Sequence, residues 1–119
     1  MSNPFGAPEI SVQDVEKKRQ AGEEFVWLDV REPNEMQLAY IEDQRVVELP
    51  MSQLAAQQLN AIPDELEDKE AEVIVFCHKG MRSAQVTAWL RQNGWTNVSS
   101  MTGGIGAWAQ EIDESVGTY

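Results

Sequence analysis

Apolar and polar positions along this chain follow two alternating rhythms. The run Val73-Ile74-Val75-Phe76 is apolar throughout and rich in β-branched residues. That pattern predicts a strand buried on both faces of a parallel sheet. Phe25–Val30 has the same character, and Arg45–Pro50 and Val98–Met101 predict two further strands. Glu9-Ile10-Ser11 predicts a short edge strand. Between these runs the period becomes helical. Val12 and Val15 begin an apolar stripe behind Ser11, which with Asp14 has the form of a capping box, and Gly22 ends that helix. Glu32-Pro33-Asn34-Glu35 opens a short helical turn toward Tyr40. Met51, Leu54, Ala55, Leu59 and Ile62 share one helical face until Pro63 breaks it. Asp64–Glu72 predicts an acidic, exposed connection. A further helix is expected from about Ser83, with Val86, Trp89 and Leu90 inward and Asn93-Gly94 as its stop. A last helix follows Gly103-Gly104. Residues 1–7 predict a flexible arm, 8–112 the folded domain, and 113–119 a loosely ordered tail.

Strands alternating with helices predict an α/β layer structure with a mainly parallel sheet. Ligands of such sheets sit beyond the carboxyl ends of the strands. Asp29-Val30-Arg31, Cys77–Arg82 and Gly103-Gly104 each follow a predicted strand. They are therefore expected to converge.

A length of 119 residues suits a single domain with its own core. The one cysteine excludes an internal disulfide or a cysteine-cluster metal site and fits a reducing compartment. Neither a basic-then-apolar leader nor a bilayer-length apolar run stands out, so the cytoplasm is the expected location. A formal net charge of −11 argues against nucleic acid or anionic membranes as partners. Most of the acidic residues read as a solvated surface. Against that background Lys79 and Arg82 form a local positive spot around Cys77.

The chemistry of the chain concentrates in Cys77-His78-Lys79-Gly80-Met81-Arg82-Ser83. A loop that leaves a buried strand and opens into a helix gathers backbone N–H groups, and the helix dipole and two cations add to their pull on an anion. A cysteine at the start of such a loop is favoured as a nucleophilic thiolate. Gly80 lets the backbone curl around the sulfur. Ser83 is read as a helix cap. His78, the single histidine, is expected to point toward solvent, with proton transfer as its less favoured role.

Three pieces in order resemble a single-domain rhodanese: Leu28-Asp29-Val30-Arg31, then Cys77-x-x-x-x-Arg82-Ser83, then Gly103-Gly104-x-Gly106-Ala107-Trp108. The resemblance runs from about Pro8 to Trp108. It implies a three-layer α/β/α fold around a mainly parallel sheet of five strands. It also implies transfer of a sulfane sulfur through a persulfide on Cys77, with no metal or organic cofactor. The donor would be thiosulfate or another persulfide. The acceptor would be cyanide in an assay, and a thiol or a protein in the cell. His78, Lys79, Gly80, Met81 and Arg82 would form the substrate-binding loop, with the amides of residues 78–82 around the persulfide. Arg82 would fix the loop or hold the donor's anionic end. Asp29 and Arg31 match the family's Asp-x-Arg turn. Asp29 is read as half of a bracing ion pair, whereas Arg31 has a second option of facing the pocket. Gly103, Gly104 and Gly106 are read as structural, and the four tryptophans as core or pocket wall.

Two rivals stay open on sequence. Cysteine phosphatases and arsenate reductases also combine a cysteine, a loop and an arginine, but they place five residues between Cys and Arg where this chain has four. The second rival is a rhodanese-like binding or regulatory module without catalysis. Such modules often lack the cysteine, which is present here.

Overall fold

The computed structural model describes residues 3–119; Met1 and Ser2 of the expected arm lie outside the described residues. Five strands form one sheet: β1 (Glu9–Ile10), β2 (Val26–Asp29), β3 (Val46–Glu48), β4 (Val73–Phe76) and β5 (Val98–Met101). Their order is β1-β5-β4-β2-β3, and each neighbouring pair runs parallel. Four α-helices connect them, α1 (Val12–Gln20), α2 (Pro33–Met36), α3 (Met51–Gln57) and α4 (Met81–Gln92), and α5 (Gly104–Glu111) follows β5. Every strand therefore ends on the same side of the molecule, and β4, which leads to Cys77, is central.

The period of two along each strand divides the core into two halves. Leu28, Val30, Val73, Val75 and Val98 face α3 and α4, where they pack with Leu54, Val86, Leu90 and Trp95. Trp27, Ile74, Phe76 and Met101 face the other way, against Val12 and Val15 of α1 and Ile105 and Trp108 of α5. Helices on both faces of a parallel sheet make the expected three layers. Among the described residues no helix is long and apolar enough to cross a membrane.

Several local expectations are corrected. The face from Met51 to Ile62 is not one continuous helical stripe, because the chain leaves the helical path at Gln58, which has a φ of 50°: Leu54 is buried and Met51 and Ile62 pack half-buried against the core, but Ala55 is exposed. Beyond that turn the register is lost, so Leu59 is 52% exposed while Ala61 is buried. The acidic connection is anchored rather than wholly exposed: Leu66 is fully buried and its carbonyl accepts the Trp95 Nε1 proton at 2.9 Å. The described part of the arm is tied back, since the Asn3 carboxamide bonds the Phe5 and Ala7 amides and the Glu9 carboxylate. The tail is packed as well. The Tyr40 amide donates to the Val116 carbonyl at 2.8 Å, and the chain then runs on to the mouth of the candidate site.

Candidate active site

Cys77 directly follows β4 and is 1% exposed. Its Sγ accepts the Gly80 amide proton at 3.1 Å and the Ser83 amide proton at 3.3 Å, and it lies 3.5 Å from the Ser83 hydroxyl. Gly80 makes this possible. Its φ of 112° folds the chain back so that its own N–H points at the sulfur and α4 starts at once with Met81. The helix thus begins two residues earlier than the pattern suggested. Ser83 falls inside its first turn and is not the cap. Its hydroxyl turns inward, 2.7 Å from the Ser100 hydroxyl and 3.1 Å from the Gly80 carbonyl. The cradle expected from the amides of residues 78–82 narrows to Gly80 and gains Ser83. Both belong to the N-terminal end of α4, where the helix dipole favours negative charge.

The glycine turn after β5 holds this loop from behind. The Ile105 amide donates to the Cys77 carbonyl and the Gly106 amide to the His78 carbonyl, each at 2.9 Å. A side chain on Gly104 would overlap the Cys77 carbonyl oxygen, so the close approach requires glycine. The three segments anticipated at the strand ends do converge.

Arg31 is corrected. It does not face a pocket: it is fully buried, and its donors are all directed at protein groups. Nε and Nη2 reach the Asp29 carboxylate at 3.0 and 2.8 Å. Nη1 donates to the carbonyls of Glu35 and Ala39 and to the Tyr119 hydroxyl. Asp29 is one half of a buried ion pair with Arg31.

Arg82 meets Glu35 of α2 in a bidentate pair, Nη1 to Oε2 at 2.7 Å and Nη2 to Oε1 at 2.8 Å. The pair links the first turn of α4 to α2. Glu35 also accepts the Glu32 amide and the Tyr119 hydroxyl, each at 2.9 Å. The Arg82 guanidinium holds the Glu35 carboxyl down at about 2, and Glu35 in turn pushes Arg82 upward. His78 does not simply point to solvent. Its ring lies flat on Tyr119, with centroids 3.8 Å apart. Lys79 is exposed and has no ion-pair partner among the described residues. Met81 is 57% exposed at the head of α4. A cavity of about 380 Å³ adjoins the loop, lined by His78, Lys79, Gly106, Gln110, Thr118 and Tyr119 among others, and Cys77 does not line it.

Residues 11–111 match the rhodanese-like domain family. The chain belongs to that family. A sulfurtransferase of Allochromatium vinosum is 32% identical over 102 residues, covering 86% of this chain and 88% of the relative. The rhodanese-like/PpiC domain-containing protein 12, chloroplastic, of Arabidopsis thaliana is 34% identical over 114 residues, which cover 93% of this chain. Of that longer protein this chain spans 37%. Among solved structures, a rhodanese-related protein from Thermoplasma volcanium superposes with a TM-score of 0.69 at 28% identity, covering 88% of this chain and 93% of its own.

Sequence reasoning missed three members of this rhodanese-like site: Glu35, Ser100 and Tyr119. Ser100 left a signal, a small polar residue at a core position of a strand. Glu35 left only its place just after the Asp-x-Arg turn. Tyr119 left none.

The Arg82–Glu35 pair makes an acid-range prediction. The folded Glu35 carboxyl sits at about 2, below the ordinary 4.5. Its stabilising contribution is complete above the unfolded value and disappears as pH falls through the folded one. The urea midpoint of the wild type should exceed that of Glu35→Gln at neutral pH, and the gap should close between about pH 4.5 and 2. A gap that does not change with pH would remove the pair as its cause.

Proposed function

We propose that this rhodanese-like domain is a sulfurtransferase that carries a sulfane sulfur on Cys77. The observation that carries the reading is the Sγ at the end of the central strand, held by the Gly80 and Ser83 amides at 3.1 and 3.3 Å. The Cys77 thiolate attacks the outer sulfur of a donor, thiosulfate or another persulfide. With thiosulfate the S–S bond breaks, its electron pair leaves on sulfite, and the enzyme holds Cys77–S–S⁻. A thiophilic acceptor, cyanide in an assay or a thiol in the cell, then takes the outer sulfur and restores the thiolate. This is covalent, double-displacement catalysis. The two amides act on the anionic sulfur as an oxyanion hole acts on oxygen. Neither step calls for a metal or organic cofactor. The cytoplasm fits a chain with a single reduced cysteine.

The phosphatase alternative is disfavoured by Arg82. Both of its terminal nitrogens are directed at Glu35, and the loop is one residue shorter than that chemistry uses. The test is intact mass after incubation with thiosulfate, followed by peptide mapping and transfer to cyanide. Gain of one sulfur atom on the Cys77 peptide, lost again on adding cyanide, is the expected result. Absence of loading together with Cys77-dependent hydrolysis of an aryl phosphate would reverse the assignment.

A further inference from the structure

We infer that Glu35 sets the charge class of the sulfur donor, by occupying Arg82, so that this site favours singly charged donors over dianionic thiosulfate. The inference rests on the sulfurtransferase reading above. It concerns which donor the same site accepts.

The charges around Cys77 can be followed one by one. Arg31 is fully buried and committed to Asp29 and two carbonyls. Arg82 is matched by Glu35 in a two-point pair. Lys79 remains as the loop's unpaired cation among the described residues. These residues comprise three cations and two carboxylates, and the Cys77 thiolate itself cancels the one positive charge left over.

Glu35 is also locked in place. Its two oxygens accept from Arg82, the Glu32 amide and Tyr119, and its carboxyl stays ionised across the neutral range. Arg82 therefore cannot turn to a donor without leaving a carboxylate that several groups hold.

Thiosulfate brings two negative charges to a thiolate. The transfer keeps charge constant: Cys77–S⁻ and S–SO₃²⁻ become Cys77–S–S⁻ and SO₃²⁻, with no proton or electron exchanged elsewhere. Three negative charges thus share the loop throughout the step, while the Gly80 and Ser83 amides offer partial charges only. A thiosulfonate, R–SO₂–S⁻, undergoes the same displacement with one charge fewer and releases a sulfinate. A persulfide donor likewise brings a single charge at its reacting end. Glu35 is in this sense a positioning residue that determines specificity through Arg82.

The experiment compares kcat/KM for thiosulfate and for benzenethiosulfonate, with cyanide as acceptor, in the wild type, Glu35→Gln, Glu35→Asp and Lys79→Gln. The wild type is expected to prefer benzenethiosulfonate. Freeing Arg82 in Glu35→Gln should raise the thiosulfate-to-benzenethiosulfonate ratio about tenfold, mainly through KM for thiosulfate, as one added charge at contact range would. Glu35→Asp keeps the charge and should stay near the wild-type ratio. Lys79→Gln should move the ratio the opposite way. An unchanged ratio in Glu35→Gln, or a parallel loss with both donors, overturns the inference and leaves Glu35 a structural brace. A wild type that prefers thiosulfate overturns it whether or not the variant folds. Failure of both donors to load the wild type would sink the sulfurtransferase reading and this inference together. Loading by both with no effect of Glu35 sinks the inference alone.

Discussion

Cys77→Ser is expected to keep the stability of the wild type within about 1 kcal/mol and to lose sulfur transfer by at least about a thousandfold. The two effects separate because the sulfur has two jobs. It is the proposed nucleophile, and it is also the acceptor for the part-buried Gly80 amide and the buried Ser83 amide. A serine oxygen can accept both protons but does not form the persulfide. Cys77→Ala should be equally inactive and less stable, because it leaves those two N–H groups without a partner. Each unsatisfied buried donor costs about 1–3 kcal/mol. Urea unfolding followed by circular dichroism, beside the cyanide assay, distinguishes the pair. If alanine and serine prove equally stable, the amides are not held by the sulfur. If either variant turns over, Cys77 is not the carrier.

The second large effect is expected at Asp29. Arg31 and Asp29 form a buried ion pair at 2.8 Å with almost no exposure on either side chain. Replacing Asp29 by asparagine leaves a guanidinium in the interior with carbonyls and a phenol but no countercharge. Breaking a buried pair from one side costs about 3–5 kcal/mol. For a domain whose whole stability is about 5–15 kcal/mol, that is a large fraction. The variant should unfold at a much lower urea concentration, and sulfur loading should fall with the folded population. A destabilisation below about 1 kcal/mol would mean that the carbonyls of Glu35 and Ala39 suffice for Arg31.

The strands were legible because their signal is local. Val73–Phe76 and Val98–Met101 are observed as the pattern sets them out. The order of segments at the strand ends was legible too, since a parallel sheet brings all its carboxyl ends together. What escaped is the detail that depends on partners distant in sequence. Ser83 reads locally as a cap because serine is an ordinary capping residue, and nothing local reveals that Gly80 starts the helix earlier. Glu35 lies 47 residues from Arg82, in a chain with so many acids that one more looks like solvated surface. Leu59 reads as inward because the turn at Gln58, with its positive φ, leaves no mark on hydrophobic periodicity. Tyr119 sits in a segment without period, and its place on His78 follows from tertiary packing alone.

The cradle around Cys77 consists largely of main-chain amides, and this divides the loop into positions of unequal evolvability. Inheritance can alter His78, Lys79 and Met81 without removing a donor to the sulfur. Gly80 and Gly104 have no such freedom, one for its dihedral angle and the other for its closeness to the Cys77 carbonyl. Lineages descended from such a loop are free to retune the donors and acceptors they serve through the outward side chains, while the chemistry itself passes unchanged from one generation to the next.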